Sequence, residues 1–184
     1  MNAPTEAPRT ALAAPGIDAE PTLHARHTAA DRFSLFILAG LFLASLGLAT
    51  VTDTWPLALV AGLPALLVPG ALLHRAAGTL AARLTVACAY MVFAALAIQQ
   101  SGGAPEAHFA LFVLFAALLA YRDGRPILAA AVVIALHHVA FNAAQTAGTG
   151  LYLFASGADA GRVVVHLLSI AVAAGLFMHL AGHL

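Results

Sequence analysis

The sequence predicts an all-α integral membrane protein, a bundle of six transmembrane helices. Three observations predict it: 62% of the 184 residues are hydrophobic, only 9% are charged, and the mean hydropathy is +0.93. Soluble domains carry about 25% charged residues. The apolar residues fall into six runs that approach the roughly 20 residues needed to cross a hydrocarbon core about 30 Å thick.

The chain opens on residues 1–31, which hold four of the eight acids, several prolines and many alanines without a helical apolar stripe. That composition predicts a flexible tail, with the helical domain spanning 32–184. The first apolar run lies too far in and runs too long for a cleaved signal segment, so it is expected to remain as a span. The six runs are 33–51, 56–73, 83–98, 107–121, 126–146 and 163–180, the third and fourth being short. Polar or Gly/Pro breaks at 52–55, 74–82, 99–106, 122–125 and 147–162 separate them. Pro64 and Pro69 are expected to kink the second helix.

Arginine placement orients this bundle. With both termini cytoplasmic, Arg9, Arg26, Arg32, Arg75, Arg83, Arg122 and Arg125 fall inside and only Arg162 outside, as the positive-inside rule requires. Trp55 and Tyr152 then mark the outer interface and Tyr121 the inner one. The expected location is the bacterial inner membrane, with the lipid bilayer as the main partner. Small residues in the fifth and sixth helices, including Ala130, Ala131, Ala174 and Gly175, suit close helix packing, and a homo-oligomer is compatible with them.

Composition also excludes functions. Eight arginines balance eight acids and lysine is absent, which leaves no basic face for nucleic acid. Cys88 is the only cysteine, so neither a disulfide framework nor a cysteine metal site is available. No nucleophile elbow, phosphate loop or paired carboxylate stands out, which makes an enzyme the least supported class.

The nine histidines outnumber the arginines, and depth sorts them. At 1.5 Å per residue, His108 lies about 20 Å above Tyr121, and His137 and His138 lie about 18 to 20 Å above Arg125. His166, four residues below Arg162, lies about 6 Å inside the outer boundary. Four imidazoles on three consecutive helices therefore share one layer in the outer half of the membrane. Ionisable groups at that depth are expensive and face the interior, and neutral imidazole is the commonest transition-metal ligand. Copper is the first expectation and haem b the second. His137 and His138 differ by about 100° around their helix, so both reach one ion only if it sits between them at the helix surface.

Glu106, Asn142 and Ser169 are the candidate supports around the ligands, and Gln145 shares the face of His138. His74, His179 and His183 all fall at the cytoplasmic edge, where a second, inner site is conceivable. Snorkelling explains them more simply. His24 and His27 belong to the tail. Two other classes use the same histidines: a proton or metal-ion transporter, and a structural membrane subunit whose interhelical hydrogen bonds are worth about 0.6 kcal/mol each.

The run Ser101-Gly102-Gly103-Ala104-Pro105-Glu106-Ala107-His108-Phe109, with Phe112, Tyr121-Arg122-Asp123, Pro126, His137-His138 and His166, resembles a known family. It is similar to the multi-span membrane input domain of bacterial methyl-accepting chemotaxis proteins, diguanylate cyclases and sensor histidine kinases. The resemblance covers about residues 101–180 and matches at Glu106, His108, Tyr121, Asp123, His137, His138 and His166. It departs at Gln99 and Ala110, where members often carry further histidines. It implies a sensory domain that passes a signal to a cytoplasmic module. Nothing follows Leu184 in this sequence, so that module is expected to be a separate signalling protein.

Overall fold

The structure, a computed structural model, describes residues 19–184, and every regular element among them is helical. Six apolar helices follow one another: α1 Thr22–Thr52, preceded by a helical turn from Ala19; α2 Trp55–Ala76; α3 Leu80–Gln100; α4 Pro105–Tyr121; α5 Gly124–Thr146; and α6 Ala160–Ala181. Five are long and apolar enough to cross a membrane, while α4 spans about 26 Å at its length. These are helices of a multi-pass membrane bundle.

The first helix starts earlier than the composition suggests. Residues 19–31 are helical, and only 1–18, the remainder of the expected tail, lie outside the described residues. The reason is polar rather than apolar. Asp31 is 2% exposed and accepts from the Gly78 amide at 2.6 Å and the Tyr121 hydroxyl at 2.9 Å. His27, also buried, hydrogen-bonds Arg83 through Nδ1. These partners lie far away in sequence, so an amphipathic-stripe test misses the extension. Gly78 has φ +77, a left-handed conformation that calls for glycine, and it sits against the exposed His24 ring.

Arg83 continues this polar end of the bundle to Asp123, 3.3 Å away. Asp123 caps α5, accepting from the Arg125 amide and side chain at 3.0 Å. Burial pushes its carboxyl up, but the Arg125 hydrogen bonds and the Arg125 and Arg83 charges outweigh burial and hold it below the ordinary aspartate range. The Tyr121-Arg122-Asp123 turn is thus a structural anchor, with Arg122 in the left-handed region at φ 50.

The two expected kink-makers of α2 differ: Pro69 lies inside regular α-helix, while the ladder is irregular before Pro64. A π-helical segment, Ala58–Gly62, lies just before Pro64, where a missing N–H breaks the regular ladder. Gly62 lets this segment sit close to its neighbours: a Cβ would lie 3.2 Å from Phe42 and 3.3 Å from Leu96.

The third helix is the centre of the bundle, packed on α1, α2 and α5, and α5 packs in turn on α6. Tyr90, Met91, Phe115, Leu118, Ile127 and Ile134 are fully buried around it. Ala130, Ala131 and Ala174 are buried where helices approach, whereas Gly175 faces outward. At the far end of α3, buried Gln100 donates to the Ser45 carbonyl at 3.1 Å and to Thr54 Oγ1 at 2.8 Å, and accepts from Ser45 Oγ at 2.9 Å. That end of the bundle carries the histidines.

Candidate metal centre

Three helices deliver one imidazole each to a single point. His108 lies in the first turn of α4, His138 two turns before the end of α5, and His166 two turns into α6. Their ring centroids are 5.7, 5.2 and 5.5 Å apart for the pairs His108–His138, His108–His166 and His138–His166. One ring nitrogen from each lies within 4.8 Å of the others, the one such group of three among the described residues. His138 is fully buried and His108 is 6% exposed.

Each ring is tied to its own helix in the same way. Nδ1 of His108 lies 3.1 Å from the Ala104 carbonyl, Nδ1 of His138 2.8 Å from the Ile134 carbonyl, and Nδ1 of His166 2.9 Å from the Arg162 carbonyl. A carbonyl oxygen only accepts, so each Nδ1 carries the proton and donates. The tautomer follows: every Nε2 is a bare lone pair. For His108 and His138 that Nε2 is buried without a hydrogen-bond partner. Three such acceptors have no donor among themselves, so the group can take a partner from outside, a metal ion or an O–H donor. Backbone carbonyls holding Nδ1–H are also how metal-ligating imidazoles are oriented.

The spacing is compatible with a small ion. An equilateral triangle with 4.8 Å edges has its centre about 2.8 Å from each corner, and ligation at about 2.0–2.1 Å asks each ring to move by less than about 1 Å. No carboxylate belongs to the group.

His137, the fourth expected ligand, stands apart from this group. Its ring packs on Phe141 at 4.0 Å and lies 5.5 Å from His138, and both its nitrogens are buried without a partner. It is not one of the three whose ring nitrogens lie within 4.8 Å of one another, and the 100° step along α5 separates its direction from that of His138.

Of the candidate supports, Asn142 acts on the loop between α5 and α6, and the other two act elsewhere. Asn142 Oδ1 accepts from the Asp159 amide at 2.8 Å. Ser169 donates back to the Val165 carbonyl at 2.9 Å, and Glu106 is exposed on the first turn of α4. Of the expected inner site, His179 and His183 are exposed with rings 4.2 Å apart, and His183 donates to the His179 carbonyl. Exposed His74, at the end of α2, joins them in no group of ligands among the described residues.

Phe154 is the part of the site that the sequence pattern does not flag, and Gln145, on the face of His138, holds it. The Phe154 ring lies 5.8 Å from His108, nearly parallel to it, and 5.1 Å from His166. Gln145 accepts from the Leu153 and Phe154 amides at 3.0 and 3.2 Å and donates to the Phe154 carbonyl at 2.8 Å. Gly103, at φ +82, receives the Ala155 amide at 3.1 Å; a Cβ there would lie 2.6 Å from the Phe154 backbone. Arg162 closes the rim, its guanidinium 5.0 Å over the Phe154 ring. Beside the triad, a cavity of about 600 Å³ opens between α4 and α6, lined by His108, His166, Phe109, Phe112 and Ile170 among others.

No family model, curated protein or solved structure matches the chain.

Proposed function

We propose that the chain is a membrane-embedded sensory domain that binds a transition metal, copper first, through His108, His138 and His166. The observation that carries this reading is the shared geometry: each Nδ1–H is spent on a backbone carbonyl, and one ring nitrogen of each imidazole lies within 4.8 Å of the others. Nitrogen-only donor sets suit copper, which stands at the top of the divalent affinity order. Direct ligation is favoured over haem b by the same geometry. A porphyrin needs a wide slot between two opposed imidazoles, and here the third ring stands within 5.7 Å of either.

The orientation follows the arginines, seven on one side against one on the other, which supports cytoplasmic termini and a metal site in the outer half of a bacterial inner membrane. The resemblance to membrane input domains supports sensing, with the signal passed to a cytoplasmic signalling partner. The polar anchor of α1 on Arg83, Gly78 and Tyr121 gives that signal a mechanical route, since α1 touches the same helices that bear on the site. Metal analysis and an absorption spectrum of detergent-purified protein test the reading. One copper per chain without a Soret band, lost in His138→Ala, is expected. Metal-free wild-type protein, or copper retained by His138→Ala, overturns it.

A further inference from the structure

The cavity beside the triad has a chemistry of its own. Neutral imidazoles around a divalent ion leave its charge uncompensated, and no carboxylate belongs to the group. Arg162, which lines the same cavity, adds positive charge at the rim. Its acidic neighbour, Asp159, lies at 3.7 Å, and both side chains are more than 40% exposed. Unlike Arg162, the ion has no carboxylate in its group, and unpaired charge away from water is costly, so the position facing the cavity calls for an anion. Three protein ligands also leave that position open.

The rest of the cavity says what the anion carries. Beyond the histidines and Arg162 its walls are mainly apolar, including Phe109, Leu111, Phe112 and Ile170. Its volume, about 600 Å³, lies within the range of organic ligand sites. Phe112, Val165 and Ser169 line both this cavity and an apolar groove that continues along α6 past Leu168, Val172 and Phe177. Val165, Leu168 and Val172 are 60, 62 and 72% exposed on a helix apolar enough to span a membrane, so the groove opens toward lipid. Phe154 and its pinned loop lie over the triad on the loop side.

We infer that the cavity between α4 and α6 binds a long-chain carboxylate, its head between the histidine-bound metal and Arg162 and its chain along the groove. The inference rests on the metal reading above. A carboxylate supplies the missing negative charge, and the hydrocarbon chain fills apolar space that an inorganic anion leaves empty.

The test uses the copper-loaded full chain in phosphatidylcholine nanodiscs, with copper content measured first. Laurate, acetate and dodecanol are titrated against the Cu(II) electron paramagnetic resonance spectrum. Laurate should shift the spectrum at a midpoint at least about tenfold below acetate, because the chain is buried, and dodecanol should leave it unchanged. Arg162→Gln should raise the laurate midpoint about fivefold, an ion pair's worth at a partly exposed site, with copper content unchanged. Val165→Trp, which fills the cavity from an exposed position, should raise the laurate midpoint and leave acetate where it was. Equal midpoints for laurate and acetate, a laurate midpoint insensitive to Val165→Trp, or a shift by acetate alone overturn the inference while leaving the metal site standing. Failure of the wild type to bind copper overturns both.

Discussion

Gln145→Leu is the perturbation that most sharply separates a built site from a chance meeting of histidines. Gln145 makes three hydrogen bonds to the loop that carries Phe154: two accepted from amides at 3.0 and 3.2 Å and one donated at 2.8 Å. Leu153 is fully buried and Phe154 is 3% exposed. At about 0.5–1.5 kcal/mol net for each bond, and more where an amide is left buried without a partner, the loss comes to about 2–4 kcal/mol. Leucine keeps the volume, so little of this is packing. Gln145→Glu keeps both acceptor interactions and loses the donor, and should cost about a third as much. Denaturant unfolding in detergent reads the stability. Diethylpyrocarbonate modification of His166, which lies half-buried beneath Phe154, reads the loop. Faster modification together with the larger stability loss is expected for Gln145→Leu. A stability within about 0.5 kcal/mol of wild type, with unchanged modification, would refute the assignment of Gln145 as the loop's anchor.

Other outcomes follow from the same structure. His137→Phe should leave the copper stoichiometry unchanged, since its ring packs on Phe141 away from the triad; metal analysis decides it. Gly103→Ala should displace Phe154, because φ +82 and a 2.6 Å approach to the Phe154 backbone leave no room for a Cβ; a lowered Tm and faster copper release are the readouts. Asp123→Asn should cost about 3 kcal/mol by leaving Arg83, whose side chain is 5% exposed, without its anionic partner. The wild type should show the matching pH dependence: Asp123 titrates below the ordinary value, so its contribution is full above about pH 4 and is lost as the pH falls further. Unfolding midpoints between pH 3 and 6, compared for wild type and Asp123→Asn, check that sign.

Most of the helices were legible because lipid imposes a simple rule, about 20 apolar residues between polar breaks. The breaks after Thr52 and around Arg122 fall where the sequence predicts them. The early start of α1 was not legible, since Asp31 and His27 are held by Gly78, Tyr121 and Arg83, partners brought near only by the fold. The shared layer of histidines follows from 1.5 Å per residue alone. Its reduction from four imidazoles to three depends on how α5 is rotated, and with small and apolar residues all round, α5 carries no stripe that sets the rotation. Phe154 escaped notice for a different reason. A loop without periodicity gives no sign of what lies beneath it, and only the amide hydrogen bonds of Gln145 reveal that it covers the site.

Counting the nitrogens around bound copper tests the central claim most directly. Electron spin echo envelope modulation of Cu(II)-loaded protein should report three equivalent imidazoles in the wild type and in His137→Phe, and no bound copper in His108→Ala, His138→Ala or His166→Ala. A wild-type count below three, or a count that falls in His137→Phe and holds in His138→Ala, would contradict it.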